Sequence, residues 1–215
     1  EWNDVPDDGL NFLAMSYDNT GGLGASTWRH VAFVEQKVPE ARVTSPTSPI
    51  APDAGVPWLM SSDVCKHCTS AGCLDACPTG AILRTEFGTV VVQDDICNGC
   101  GYCVIACPFG VIDRRDLPRS ADDAPLSLPM LARKEDGRVW KCTLCYDRLK
   151  GGHEPACAKA CPTDSIQFGP VKRLREKARA RVAELHEQGR TDAYLYGVDS
   201  VGDYGPLNSM FLLED

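Results

Sequence analysis

The residues of this sequence best suited to chemistry are its cysteines: twelve occur, all between Cys65 and Cys161. They fall into three groups, each closed by Cys-Pro. The groups are Cys65, Cys68, Cys73 and Cys77 with Pro78; Cys97, Cys100, Cys103 and Cys107 with Pro108; and Cys142, Cys145, Cys157 and Cys161 with Pro162. The central group reads C-x2-C-x2-C-x3-C-P at every position, the run that holds [4Fe–4S] cubanes through cysteine thiolates. The first group has two further residues between its second and third cysteines, and the last has a long insertion at the same place. A C-x2-C pair on a tight loop lets two thiolates reach adjacent iron corners, and a third cysteine closes that face. The fourth, one helical turn further on, points away.

In two-cluster ferredoxins that last thiolate binds the neighbouring cluster. The same rule assigns one cubane to Cys65, Cys68, Cys73 and Cys107, and a second to Cys97, Cys100, Cys103 and Cys77. Zinc also accepts four thiolates from C-x2-C pairs, but it rarely uses this run, and three such ions would have no evident structural task. Disulfides fit poorly, because cysteines two residues apart seldom meet the required separation and torsion. Disulfide scaffolds are also usually short chains without a core of their own. His67, inside the first group, reads as a ligand, a proton carrier or a polar neighbour of a cluster, and the last is favoured because thiolates already suffice. His30, His153 and His186 are scattered. No Ser-His-Asp set, G-x-G-x-x-G or phosphate loop is visible, so no catalytic residue is assigned. Tyr102, Phe109, Trp140 and Tyr146 flank the cysteines and could exclude water from a cluster or simply pack a core.

Several elements must position these thiols. Residues 1–57 read as a covering segment followed by a connector with five prolines (Pro39, Pro46, Pro49, Pro52, Pro57), with one strand over Trp28–Gln36. Residues 58–169 form the cluster-binding core. Short strands are expected after each Cys-Pro, at Ala81–Arg84, Val111–Asp113 and Ser165–Phe168. Thr89–Gln93 should complete a hairpin with the first of them through Phe87-Gly88. The charged, proline-bearing stretch 117–137 reads as an insertion. Over 170–215 lie a helix and a tail. Val171, Leu174, Ala178, Val182 and Leu185 make one apolar stripe over Val171–Gln188, and Lys172, Arg173, Arg175, Lys177, Arg179 and Arg181 make a basic face. The fold class expected is α+β: tandem ferredoxin-like [4Fe–4S] units with a C-terminal amphipathic helix.

Formal net charge is -8, which argues against a nucleic-acid partner and for a protein one. No run of about 18 apolar residues is present to span a bilayer, and no cleavable signal is visible. Glu1 and the apolar stretch Met210–Leu213 read as cut ends.

On these motifs the protein resembles the iron–sulfur (beta) subunit of formate dehydrogenases of the membrane-associated respiratory type. That subunit is one of the four-cluster ferredoxin-like partners of molybdenum or tungsten bis-pterin enzymes. The broad part of the resemblance is the cysteine series with Trp140-Lys141-Cys142-Thr143-Leu144-Cys145-Tyr146-Asp147-Arg148. The narrower part is Glu1-Trp2-Asn3-Asp4 and Gly24-Ala25-Ser26-Thr27-Trp28-Arg29-His30-Val31.

The resemblance implies three to four [4Fe–4S] clusters in the intact protein. These would relay electrons from a large formate-oxidising subunit to a quinone-reducing or soluble acceptor, with a membrane cytochrome b as a further partner. It implies that Cys142, Cys145 and Cys157 hold a third cluster whose fourth ligand lies upstream of Glu1, and that Cys161 serves a further cluster. It places the protein at the periphery of a respiratory complex, with the extracytoplasmic side expected and the cytoplasm the alternative. A related reductase subunit (dimethyl sulfoxide, polysulfide, tetrathionate or nitrate) and a free-standing polyferredoxin are the competing readings.

Overall fold

A computed structural model describes residues 3, 5, 21–35, 58–115 and 137–214. The proline-rich connector 38–57 and nearly all of the expected insertion 117–137 lie outside these residues, as does most of the covering segment 1–27. Four two-stranded antiparallel sheets and five α-helices are laid along the described residues.

Strand β1 (Arg29–Glu35) pairs with β2 (Trp58–Val64) in a seven-residue register from Arg29 opposite Val64 to Glu35 opposite Trp58. β2 delivers the backbone directly to Cys65. Helix α1 (Gly72–Asp75) carries Cys73, and the hairpin of β3 (Ile82–Arg84) and β4 (Val90–Val92) follows. That hairpin is the expected one. Its turn is fixed by Gly88 at φ +77° and by a 2.7 Å bond between the Thr85 and Thr89 hydroxyls. Helix α2 (Tyr102–Ala106) carries Cys103, β5 (Asp113–Arg114) pairs with β6 (Val139–Trp140), and α3 (Tyr146–Lys150) and α4 (Ala156–Ala160) frame the last cysteine group.

A repeated turn follows each Cys-Pro. The amide three residues on bonds back to the cysteine carbonyl, Gly80 to Cys77 at 3.3 Å, Gly110 to Cys107 at 3.3 Å and Asp164 to Cys161 at 3.4 Å. All three donors have left-handed φ: +67°, +61° and +54°. Two of the three expected exit strands need correction. Val111 and Ile112 run buried without a ladder partner, and only Asp113 enters β5. Ser165–Phe168 forms no strand. The first exit pairs with β4 and the second reaches β6, but no described strand pairs with the third.

One buried cluster packs against the first two cysteine groups: Ala71, Ile82, Val90, Cys103, Ile112 and Val139, flanked by half-buried residues that are mostly cysteines. Helices α1 and α2 approach so closely that a Cβ on Gly72 would stand 3.2 Å from the Ala106 carbonyl oxygen. Helix α5 (Val171–Glu187) buries Leu185 and half-buries Val171, Leu174, Ala178 and Val182, while Lys172, Arg173, Lys177, Arg179 and Arg181 stay exposed. A last hairpin pairs β7 (Tyr194–Tyr196) with β8 (Phe211–Leu213). No described helix is long and apolar enough to cross a membrane.

Between β7 and β8 the backbone clamps the first cysteine loop. Thr69 and Ser70 amides donate to the Pro206 and Tyr204 carbonyls at 3.3 and 3.0 Å, and the Asn208 and Ser209 amides donate to the Lys66 carbonyl at 3.0 Å each. Gly205 makes the clamp possible with φ +66° and ψ -169°, a region open essentially to glycine, and a Cβ there would collide with Thr69 Oγ1. Gly205→Ala should therefore destabilise this segment by about 1–3 kcal/mol. Hydrogen exchange at the Thr69 and Ser70 amides, compared with Val90 as an internal control, should accelerate selectively; unchanged rates would show that the clamp does not depend on this backbone geometry.

Candidate metal centre

Each C-x2-C loop places a left-handed residue immediately before its second cysteine: His67 at φ +45°, Gly99 at +73° and Leu144 at +57°. This conformation turns the loop so that two thiols face the same way. Glycine adopts it freely, whereas His67 and Leu144 hold it at a steric cost that the surrounding structure must meet. The third cysteine then comes from a short helix, Cys73 on α1, Cys103 on α2 and Cys157 on α4. The fourth comes from just past the end of that helix. Cys77 lies one residue beyond the α1 cap, and Cys107 and Cys161 cap α2 and α4.

Packing α1 against α2 exchanges these last thiols. Cys65, Cys68 and Cys73 line one cavity together with Cys107 from the second group. Its walls are largely apolar, including Val90, Phe109, Val111 and Ile112. Around Cys103 stand Cys97, Cys100 and Cys77 from the first group, with Cys73 also close enough to act on it electrostatically. The first two sequence groups thus contribute three thiols to one gathering and one to the other.

Burial and crowding make Cys68, Cys73 and Cys103 reluctant to ionise alone. Burial, with the Cys65, Cys107 and Cys68 sulfurs nearby, pushes Cys73 up to about 11, although the Lys141 ammonium acts in the opposite sense. Burial and the Cys73, Cys97, Cys77 and Cys100 sulfurs push Cys103 up to about 12. Cys77 moves the other way. Burial raises it, but the Thr79 hydroxyl at 3.6 Å and the Ile82, Thr79 and Ala81 amides together bring it below the ordinary thiol value. Such a donor set suits a cationic iron core that draws off the protons and the charge. Among the described residues no three or more His, Cys, Asp or Glu converge on a point that a single ion could occupy. A cubane has no such requirement, since its thiolates bind separate iron corners. The residues present fit [4Fe–4S] clusters.

The third group is arranged differently. Burial and the Cys65 and Cys157 sulfurs push Cys142 up to about 12 against the Leu144 amide, which donates to its sulfur at 3.3 Å. Cys145 Sγ accepts from the Ala156 amide at 3.4 Å and from the Asn3 side-chain amide at 3.8 Å. Cys161 faces hydroxyls instead, Ser165 at 3.2 Å and Thr163 at 3.5 Å, and these with the Ile166 amide draw it down to about 6.

Residues without thiols complete the first cavity. Lys141 is 2% exposed. Its ammonium donates to Cys65 Sγ at 3.6 Å, to the Cys142 carbonyl at 3.1 Å and to the Val90 carbonyl. Lys66 sits over the Phe109 and Phe211 rings at 5.5 and 4.6 Å and pairs with Asp63. Arg84 holds the loop by donating to the Cys68 and Thr69 carbonyls at 2.7 and 2.8 Å. None of the three is signalled by the cysteine pattern, although Lys66 stands next to Cys65 and Lys141 next to Cys142 in sequence.

His67 is buried in the cavity wall, where desolvation, then the Lys141 and Arg84 charges, hold its imidazole well below the usual value. His186 bonds the Ala193 carbonyl at 2.8 Å, and His153 stands in an exposed turn. Of the flanking aromatics only Phe109 lines the cavity. Tyr102 is 60% exposed, Trp140 stacks under Arg115 at 4.7 Å, and the Tyr146 hydroxyl donates to the Glu86 carboxylate.

Comparison with known proteins agrees with this geometry. A 4Fe-4S dicluster domain matches residues 56–123, and a second domain of the same description matches residues 96–166. The nitrate-inducible formate dehydrogenase iron–sulfur subunit of Escherichia coli (strain K12) is 38% identical over 203 residues, which is 94% of this chain and 58% of that protein. The formate dehydrogenase iron–sulfur subunit of Haemophilus influenzae is 39% identical over 204 residues, 94% of this chain and 55% of that one. A subunit of the anaerobic dimethyl sulfoxide reductase of Escherichia coli (strain K12) is 36% identical over 113 residues, 53% of this chain and 46% of that one. The chain spans little more than half the length of the formate dehydrogenase subunits it matches. With two overlapping regions that match 4Fe-4S dicluster domains, it takes [4Fe–4S] clusters as cofactors and is similar along most of its length to the iron–sulfur subunits of formate dehydrogenases.

Proposed function

We propose that this protein relays electrons, one at a time, between a formate-oxidising molybdenum or tungsten catalytic subunit and a quinone-reducing or soluble acceptor. The observation that carries the reading is the interlock of the first two cysteine groups. Cys73 on α1 lies near enough to Cys103 on α2 for each thiol set to feel the other, so two redox centres would stand side by side. The clusters supply the one-electron chemistry; the protein supplies binding, spacing and a dry surround. Val90, Val111, Ile112 and Phe109 keep water from the first site, and the residue 204–209 clamp covers its loop. The relatives along 94% of the chain, which are formate dehydrogenase subunits, favour formate as the electron source. The shorter match to a dimethyl sulfoxide reductase subunit supports a second reading, in which electrons flow toward a reductase.

Within this function Cys65, Cys68, Cys73 and Cys107 ligate one cubane, and Cys97, Cys100, Cys103 and Cys77 ligate a second. Cys142, Cys145 and Cys157 hold a third, completed by a cysteine upstream of Glu1, and Cys161 serves a further one. Support for the upstream ligand comes from Asn3, whose side-chain amide donates to Cys145 Sγ at 3.8 Å. Helix α5 packs against β7, and its basic side, where Arg179 pairs with Asp199 and Arg181 with Glu184, is offered to an acidic partner.

Anaerobic addition of formate to the purified complex should bleach the visible absorption of its iron–sulfur clusters, and dimethyl sulfoxide should not restore it. Bleaching only by another donor, with reoxidation by dimethyl sulfoxide, would transfer the protein to the reductase reading. A second test addresses the ligand exchange. Cys77→Ala should abolish or convert the paramagnetic signal of the cluster held by Cys97, Cys100 and Cys103 while sparing the Cys65 cluster; loss of the Cys65 cluster instead would reverse the assignment.

A further inference from the structure

The wall of the first cavity holds two buried nitrogen donors fixed by a single residue of β4. His67 is 1% exposed, and its Nδ1 accepts a 3.0 Å hydrogen bond from the Val90 amide. An amide N–H can only donate, so Nδ1 presents its lone pair and the proton of the neutral ring resides on Nε2. Nε2 is buried without a hydrogen-bond partner, and the residue lines the cavity ringed by Cys65, Cys68, Cys73 and Cys107. The Val90 carbonyl, on the other side of the same residue, accepts from Lys141 Nζ, which also donates to Cys65 Sγ at 3.6 Å. Val90 is 1% exposed and belongs to β4, so both donors are registered by one rigid strand.

A buried N–H without an acceptor is rare in folded proteins, and here the missing acceptor has an obvious chemistry. The cavity's other lining includes four sulfur ligands, and a sulfur atom carrying excess negative charge accepts hydrogen bonds. We propose that His67 Nε2–H and Lys141 Nζ–H both donate to sulfur atoms of the cluster at Cys65, Cys68, Cys73 and Cys107, and that this pair raises that cluster's reduction potential. The proposal rests on the ligand assignment given above. Its cause is electrostatic. An added electron increases the negative charge on the sulfurs, so donors and a buried ammonium stabilise the reduced state more than the oxidised one. Lys141 also bonds the Cys142 carbonyl at 3.1 Å, so its charge stands between the first site and the third group.

The test uses the intact complex, with redox titration followed by electron paramagnetic resonance. The signal of this cluster is the one that Cys68→Ala removes. In His67→Leu and in Lys141→Met it should titrate at lower potential, with the reduced-to-oxidised ratio at the native midpoint falling about tenfold in each, about 59 mV for a one-electron couple. The Cys97 cluster should hold its midpoint, and His67→Gln, which keeps an N–H donor, should recover part of the shift. In native complex labelled with 15N-histidine, pulsed resonance should detect a histidine nitrogen and an exchangeable proton coupled to the reduced cluster. Full iron content with unmoved midpoints in both variants overturns the proposal, as does the absence of histidine coupling in the native complex, a result that does not depend on any variant folding. Failure of the ligand assignment would look different: Cys68→Ala would then retain every cluster signal.

Discussion

Cys65, Cys68, Cys73 and Cys107 bring four sulfurs to a cavity walled by Val90, Val111 and Ile112, where burial and the neighbouring sulfurs make the Cys68 and Cys73 thiols harder to ionise. The rest of the structure can be understood as the means of meeting that charge. Iron takes most of it, and the Lys141 ammonium reaches in from beside the last cysteine group. The elements themselves are short because their task is to aim sulfur atoms. The seven-residue strand β2 ends at Val64, just before Cys65, the four-residue helix α1 carries Cys73, and the five-residue helix α2 carries Cys103. Helices of this length have no stability of their own in water. The buried cluster beside them is ringed with cysteines, so cluster binding would contribute to folding there.

The same constraint explains the strain. His67 and Leu144 stand where Gly99 stands in the central group, each in left-handed backbone before a cysteine. If loop geometry were the only demand, glycine would serve at all three. His67 accepts the conformation because its imidazole is wanted in the cavity wall, where the Val90 amide orients it. Leu144 donates its own amide to Cys142 Sγ at 3.3 Å, a bond that the turned backbone makes available. A position that carries a side chain against local preference is one where something beyond the turn is being held.

The cysteine spacing made it legible that Cys107 would stand with Cys65, Cys68 and Cys73, as it does around the first cavity, because a C-x3-C step displaces the fourth thiol by one turn. Local signals also sufficed for the β3–β4 hairpin, for β1, and for helix α5, whose bounds follow Pro170 and Gly189 closely. What escaped was non-local. β2 pairs with β1 across more than twenty intervening residues, and nothing in Trp58–Val64 announces that partner. Ser165–Phe168 has the composition of the other exit segments but no neighbouring strand, and a strand is defined by its partner. Tyr102 sits beside a cluster ligand in sequence yet faces outward, since its neighbour Cys103 takes the buried side of α2. His67 was visible as a histidine among cysteines. Only the Val90 amide distinguishes a polar bystander from an oriented donor.

The C-terminal segment shows why such distant pieces must be present at once. Its carbonyls and amides bind the loop between Cys65 and Ser70, and the Ser209 hydroxyl donates to the Cys65 carbonyl at 2.9 Å. Phe211 on β8 and Phe109 beside Cys107 lie under the same Lys66 ammonium, so one cation draws together the tail, the first loop and the turn after the second group. Tyr204 reaches further in, lining the cavity and meeting the Phe109 ring at 6.0 Å. A loop held only by its two cysteines would be free to open toward water, and water at a cluster changes both its lifetime and its potential. By tying that loop to a segment 144 residues later in sequence, the protein makes the dryness of its first site a property of the whole fold rather than of the cysteine motif alone.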